Sequence, residues 1–360
     1  MTESKNNNYP TQKIKVGILG CTGIVGQRFI ELLYNHPLFI ITKLGASPRS
    51  AGKSYRNVVH WKLIQACPES IMDILVEECI PRNFDGCTLV FSALDSSVAE
   101  GLEETFAAAG FPVFSNAASH RCDIDVPIIV PYVNAFHMSI IDHQRKQRGY
   151  GKGFIVTNAN CSTVGLAVAL KPLMDHFGVD GVFVTTMQAV SGAGYPGVPS
   201  LDITDNIIPF VSGEEPKLES EVNKILGGCT GTRFNAAEFS ISAHCNRVNV
   251  TDGHTLCVSV KLKNPATVCD IKKVLKGYKS VTGVLPSTPT ACIYIAEETD
   301  RPQPRLDRIR GGGYTITVGR IRPCPILDIK FVVCSHNTIL GAAGGSILNA
   351  ELAYGKGYLD

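Results

Sequence analysis

One cysteine among the 13 in this 360-residue chain stands where a thiol could act as a nucleophile. Cys161 lies in the segment Thr157-Asn158-Ala159-Asn160-Cys161-Ser162-Thr163-Val164-Gly165. A strand-like run ends near Asn158 and a helical pattern begins near Thr163, so the thiol is expected just ahead of a helix N-terminus. The positive end of the helix dipole lowers a thiol pKa there, and the free amides can hold an oxyanion. Such a thiol needs a proton partner. His254 follows the turn residues Asp252-Gly253 at the mouth of a strand-like run, and Arg247 precedes it by seven residues, suited to grip a carboxylate in a bidentate fork. In isolation a cysteine reads as a small core residue and a histidine as a structural one. Position and company set these two apart.

A second group points to a dinucleotide. Gly20-Cys21-Thr22-Gly23-Ile24-Val25-Gly26 follows a short apolar run and opens a helical pattern. Glycines there let the backbone approach a pyrophosphate at a helix start. The spacing is G-x-x-G-x-x-G, and a tight turn with no ligand is the plain alternative. After the second strand of this unit comes Ala46-Ser47-Pro48-Arg49-Ser50, with no acid for a ribose diol. Two hydroxyls and a guanidinium suit a 2′-phosphate, which favours NADP over NAD. Two further places read equally well as surface features. One is Glu214-Glu215-Pro216-Lys217, an i,i+3 acid–base pair in a first helical turn; the other is Arg121 after Ser115-Asn116.

The elements that must position these residues fall into two sets. Residues 13–47 read as strand, turn, helix (Ile24 to Asn35) and strand. Short apolar runs at 88–94, 112–115, 127–130 and 154–158 follow, with helical stretches at 98–109 and 133–144. That alternation predicts a doubly wound parallel sheet of the Rossmann type. Longer strand-like runs then appear at 182–190, 239–250, 255–263, 314–322 and 326–334, with helices at 164–176, 217–226 and 266–278. They predict an α+β domain built on a largely antiparallel mixed sheet. The α/β chain is thus divided into a nucleotide-binding domain, 1–159, completed by a final helix within about 338–360, and a catalytic and dimerisation domain, 160–337.

Composition narrows the partners. A net charge of +2 gives no electrostatic case for nucleic acid or a membrane surface. The run Arg145, Lys146, Arg148 and Lys152 is expected to be a solvated loop. The polar, Asn-rich first dozen residues carry no leader pattern, and no apolar stretch reaches the ~18 residues of a membrane span. Scattered cysteines without a Cys-x-x-Cys pair suit a reducing compartment, so a cytoplasmic protein with no metal is expected.

Taken together these residues resemble the aspartate-semialdehyde dehydrogenase family. The resemblance rests on Asn160 to Thr163, Gln188 to Gly194, the Arg247–His254 spacing, Ser335-His336-Asn337-Thr338 and Gly341 to Gly345. Gly20-Cys21-Thr22-Gly23 and Pro304-Arg305-Leu306-Asp307-Arg308 are similar to its fungal and archaeal branch. It implies that Cys161 forms an acyl thioester, His254 is the general acid/base and Gln188 orients the acyl group. Arg247 and Glu214 would grip the substrate carboxylate and amino group, and Arg121, Asn116 and Lys217 the phosphate. Thr22, Gly23, Ile24, Val25, Ser47, Ser50, Ser92, Gly192 and Asn337 would meet NADP, with Gly20 in the same turn and Arg49 added on charge alone. The implied reaction is reductive dephosphorylation of L-aspartyl 4-phosphate to L-aspartate 4-semialdehyde, on the route to lysine, threonine and methionine, by a homodimer or homotetramer. Other readings stay open: a thioester reductase acting on malonyl-CoA, a reductase of N-acetyl-glutamyl phosphate, or a non-catalytic NADP sensor. The sensor would have no reason to keep Cys161, Gln188, Arg247 and His254 together.

Overall fold

A computed structural model describes residues 12–360; the Asn-rich start of the chain lies outside them. Strands β1 (Ile14–Leu19), β2 (Phe39–Ala46), β3 (Val76–Glu78), β4 (Leu89–Ser92), β5 (Pro112–Ser115), β6 (Ile128–Ile129) and β7 (Phe154–Asn158) form a seven-stranded sheet in the order β3-β2-β1-β4-β5-β7-β6. Every pairing in it is parallel. Its strands are apolar on both faces because both faces are covered. Phe91 and Phe114 point into one core with Phe29 and Phe39, whereas Val90, Val113 and Ile155 point into another with Phe84 and Phe106. The chain runs outward from β1 to β3, then restarts at β4 on the other side. The strand order therefore reverses between β1 and β4, and that opens a crevice beyond their C-terminal ends.

The second sheet contains β8 (Val179–Gln188), β11 (Ser240–Arg247), β12 (His254–Leu262), β13 (Ile293–Ala296), β14 (Ile316–Pro323) and β15 (Ile329–Ser335). A small hairpin, β9 (Gly228–Cys229) and β10 (Phe234–Asn235), stands apart. The order is β11-β8-β12-β15-β14-β13. β8–β12, β12–β15 and β14–β15 are antiparallel, while β11–β8 and β13–β14 are parallel. Alternation along β12 buries Leu256, Val258 and Val260 and turns Cys257 and Lys261 outward. The buried side packs against the helix Cys161–Phe177. The last helix, Gly344–Gly355, packs back onto β5 and β7. Its buried Glu351 accepts from His36 Nε2 at 2.8 Å and from the Ser287 amide at 3.0 Å, so one carboxylate joins residues more than 250 positions apart.

Several expectations change. The single helix at 133–144 is instead a short turn at Pro131–Asn134, a 3-10 segment at Ala135–Ile140 and a helix at Ile141–Arg148. The buried Asn134 side chain accepts from the Val130 amide and donates to the Ile128 carbonyl, competing with regular helix there. The basic run is a solvated turn only at Lys152; Lys146 is exposed on the helix and the two arginines are engaged. Arg145 and Arg148 end the helix, Arg148 holding Asp125 at 2.6 Å through both Nε and Nη2 and Arg145 covering the Phe154 ring. The final helix starts at Gly344, after a π-turn at Ile339–Ala343. The short strands at Val76–Glu78 and Ile293–Ala296 were not foreseen. Among the described residues no helix is long and apolar enough to cross a membrane.

Two glycines in helices test this packing with opposite signs. A Cβ on Gly26 would lie 2.3 Å from the Gly20 carbonyl oxygen, whereas one on Gly101 meets nothing within 4 Å. Gly26→Ala should cost roughly 1–3 kcal/mol, lower Tm by several degrees and weaken NADP binding. Gly101→Ala should raise Tm slightly, since alanine is the better helix former by about 0.8–1.0 kcal/mol. Thermal melts of both variants with a cofactor titration check this pair.

Candidate active site

The helix that carries the thiol begins at Cys161 itself, two residues earlier than the sequence pattern indicated. Asn160 is its N-cap, its side-chain oxygen accepting from the Ser162 amide at 2.9 Å and the Thr163 amide at 3.4 Å. Those amides are thereby taken, and the oxyanion expectation narrows to the Cys161 amide. The C-terminal segment presses closely on this turn: a Cβ on Gly341 would lie 3.1 Å from Cys161 Cα and Cβ.

His254 opens β12 and is fully buried. Its Nε2 lies 3.1 Å from Cys161 Sγ, and its Nδ1 accepts the Ala189 amide proton at 3.0 Å. A neutral imidazole accepting at Nδ1 carries its hydrogen on Nε2, pointed at the sulfur. Burial, the Arg247 guanidinium and His336 push His254 down to about 3. Burial and the nearby Glu214 carboxylate push the Cys161 thiol up to about 12, against the opposing pull of Arg121 and Arg247. The ligand-free pair is therefore thiol and neutral imidazole. The dipole argument for a lowered thiol pKa is outweighed, because desolvation disfavours the thiolate more than one helix start favours it.

Around this pair the polar side chains interlock. Glu214 Oε2 accepts from Asn160 Nδ2 at 2.7 Å and from Gln188 Nε2 at 3.3 Å, while its Oε1 meets Lys217 Nζ at 3.3 Å. The Glu214–Lys217 pair is thus part of the site wall and no mere surface pair. Arg247 is buried and donates from Nη1 to the Ala189 carbonyl at 2.7 Å. Gly192 closes over it: a Cβ there would lie 2.9 Å from Arg247 Nη1 and 3.3 Å from His254 Nε2. Asn337 accepts the Gly253 amide at 2.8 Å and donates to Ser191 Oγ at 2.8 Å, tying that wall to the turn before His254.

A cleft of about 330 Å³ brings together Ile24, Val25, Asn116, Arg121, Cys161, Gly192, Glu214, Lys217 and Asn337. Gln188, Arg247 and His254 stand directly behind its wall. A neighbouring pocket of about 540 Å³ takes in Gly20, Thr22, Gly23 and Ser47, and Asp95 lines both. This pocket suits a dinucleotide. Gly20 has a φ of +78°, and a Cβ there would strike the Ala93 carbonyl at 2.6 Å, so the β1 turn is a bare cradle at the start of helix Ile24–Leu33. Three expected cofactor residues line neither space. Arg49 is exposed, Ser50 is half-buried with its amide on the Ser47 carbonyl, and Ser92 is fully buried, its carbonyl accepting from Asn116 Nδ2 at 3.0 Å.

Sequence reasoning passed over Asn158, Asn160 and Glu221. Asn158 Nδ2 donates to Asn116 Oδ1 at 2.8 Å and to the Ala342 carbonyl at 2.5 Å. The Asn160 amide donates to Glu221 Oε2 at 2.6 Å, and Arg121 Nη1 to Glu221 Oε1 at 3.0 Å. Helical periodicity would have found Glu221, which follows Lys217 by four residues and Glu214 by seven and so shares their face.

A helix-start thiol against an imidazole, opening onto a dinucleotide pocket at a strand-order reversal, defines a thiol-dependent, pyridine-nucleotide-linked oxidoreductase acting at carbonyl carbon. Residues 15–141 match the semialdehyde dehydrogenase NAD binding domain, and residues 170–340 the semialdehyde dehydrogenase dimerisation domain. The chain is 51% identical over 363 residues to the aspartate-semialdehyde dehydrogenase of Cryptococcus neoformans, covering 98% of this chain and 100% of that protein. Against the enzyme of that name from Archaeoglobus fulgidus it is 49% identical over 340 residues, covering 94% and 98%. The crystal structure of aspartate-semialdehyde dehydrogenase with NADP from Candida albicans superposes with a TM-score of 0.89 at 49% identity, covering 96% of this chain and 99% of that one. The chain belongs to the aspartate-semialdehyde dehydrogenase family.

The electrostatics predict how the thiol titrates. Alkylation of Cys161 in the ligand-free protein should be slow at neutral pH and keep climbing past pH 9 without a neutral plateau, because only the thiolate reacts. Glu214→Gln removes a negative charge that holds the pKa up, so it should react faster than the parent at each pH in that range. A neutral plateau in the parent, or slower reaction in the variant, would show that the charge balance is misassigned.

Proposed function

We propose that this protein interconverts L-aspartyl 4-phosphate and L-aspartate 4-semialdehyde, with NADP as hydride carrier and Cys161 as the covalent anchor, in the aspartate pathway. The observation that carries this reading is the 3.1 Å contact between Cys161 Sγ and His254 Nε2, beside a cleft walled by Arg121 and Lys217. The family's Candida albicans member is solved with NADP, and a Vibrio cholerae member, 26% identical with a TM-score of 0.75, is complexed with ASA.

In the oxidative direction Sγ adds to the aldehyde carbon and its proton passes to His254. Receiving that proton at Nε2 requires the other ring proton to sit on Nδ1, so the Ala189 amide contact opens in this step. Bound NADP, its pyrophosphate held by the glycine turn and its 2′-phosphate by Ser47, would accept the hydride in this direction. The resulting Cys161 thioester is attacked by phosphate oxygen; the C–S bond breaks and the thiolate recovers its proton. A thiolate serves as both nucleophile and leaving group, so one side chain suffices for both halves. Arg121 and Lys217 bring the phosphate dianion to the acyl carbon, with Asn116 beside them. Arg247 and Glu214 hold the carboxylate and amino group, and Gln188, seated on Glu214, orients the acyl oxygen. In the reductive direction these steps run backwards and Cys161 displaces phosphate.

We place the division at 159/160, with the last helix returning to the first sheet, so that the nucleotide site belongs to the first domain and Cys161 to the second, and the cleft draws on both. We read the second domain as the assembly surface of a homodimer or homotetramer; it leaves Phe183 and Tyr294 exposed. The 13 cysteines are all free thiols, which suits a cytoplasmic setting.

Steady-state kinetics with aspartate semialdehyde, phosphate and NADP test the reading. Cys161→Ser should lose at least roughly a thousandfold in kcat. Arg121→Ala should raise KM for phosphate while leaving KM for the semialdehyde nearly unchanged. Malonyl-CoA should not be reduced. Retained phosphate-dependent turnover in Cys161→Ser would sink the thioester mechanism.

A further inference from the structure

Glu221 is a buried carboxylate, 5% exposed, with no part in the chemistry above. Both of its oxygens are committed. Oε2 accepts the Asn160 amide at 2.6 Å, on the residue immediately before the nucleophile, and Oε1 accepts Arg121 Nη1 at 3.0 Å. Arg121 is itself buried, with Nη2 on the Asn116 carbonyl at 3.0 Å. Asn160 is held a second time from the same helix, since its Nδ2 donates to Glu214 at 2.7 Å. Glu214–Leu226 thus clamps the nucleophile turn at main chain and side chain, and one of those clamps is shared with the guanidinium.

We propose that Glu221 is a positioning residue that fixes Arg121 and the Cys161 turn in one frame. On the reaction proposed above, which this inference takes as given, the anion held by Arg121 then meets the acyl carbon carried on Cys161. The physical demand is for an acceptor at each end. A carboxylate offers two, both strengthened by charge. Glutamine offers one, and its amide N–H groups face either the Asn160 amide or the guanidinium, donor against donor. Aspartate keeps the charge but is one methylene too short to span both partners. A merely structural carboxylate would lower stability or kcat without singling out one substrate; a positioning residue acting through Arg121 must show in phosphate.

The test uses the full-length protein with Glu221→Gln, Glu221→Asp, Arg121→Ala and the Glu221→Gln/Arg121→Ala double variant. Folding is checked by circular dichroism and thermal melts. We expect Glu221→Gln to raise KM for phosphate about tenfold or more, the scale of one charge-assisted hydrogen bond. KM for semialdehyde and for NADP should stay within about twofold, less than any one such bond is worth. Glu221→Asp should fail to rescue phosphate KM. In the Arg121→Ala background the glutamine change should add nothing further to phosphate KM. The inference is overturned if Glu221→Gln leaves phosphate KM unchanged, if it lowers kcat with every KM held, or if its effect multiplies independently on top of Arg121→Ala. Should Glu221→Gln not accumulate as folded protein, Glu221→Asp is judged by the same three criteria.

Calorimetric titration with inorganic phosphate reads the same site without turnover. A parent protein that binds phosphate but shows no phosphate-dependent turnover would overturn the proposed reaction alone. Equal phosphate affinity in parent and Glu221→Gln would overturn the role of Glu221 alone.

Discussion

The turn from β7 into the helix Cys161–Phe177 depends on a single constraint: all four polar groups of Asn160 must be satisfied at once. Its side-chain oxygen caps the helix, its side-chain nitrogen reaches Glu214, its amide reaches Glu221 and its carbonyl accepts from Val164. A residue so tied leaves the next one no choice of direction, and the next one is the nucleophile. Burying two carboxylates here is tolerable because Arg121 and Lys217 face them. Ions left unpaired at this depth would cost several kcal/mol each. Removing any one member leaves another charge stranded, so the cluster acts as a unit.

This constraint explains why the site is built from such distant stretches. The reversal of strand order between β1 and β4 opens a crevice for the nucleotide, and β5 runs into the loop that carries Asn116 and Arg121. β8 and β12 run side by side, with Thr255 opposite Met187, and so bring His254 next to the Gln188–Ala189 turn. The nucleophile helix follows β7 directly, its N-terminus at the cleft and its flank against the second sheet. Each sheet contributes what its strand ends can reach, and the helix start is where the contributions meet.

Much of this was legible in the sequence because local pattern and local chemistry agreed. The glycine turn sits between a strand and a helix, Cys161 sits at a helix start, and His254 follows a turn; each carries its signal within ten residues. The parts that were not legible depend on partners far along the chain. Helical periodicity puts Glu221 on the face of Glu214 and Lys217, but nothing near it announces its partners Asn160 and Arg121, 61 and 100 positions away. The broken helix at 131–148 reflects a side chain, Asn134, competing for backbone groups. The raised thiol pKa reflects burial, which a sequence does not display. Ser92 illustrates the converse: a residue in the right stretch of chain whose side chain the pleat turns into the core.

Gly341 and Ala342 touch the nucleophile turn, and the helix after them covers the first sheet. This places a demand on the order of events during synthesis. A ribosome makes the nucleotide-binding sheet first and its covering helix only after the whole second domain. Until residues 337–355 emerge, β5 and β7 lack that apolar cover and the thiol lacks its C-terminal wall. The two domains therefore cannot mature one after the other as independent beads. The first must wait, partly uncovered, until residues 337–355 have been made, and a functioning cleft around the thiol exists only once that stretch has emerged.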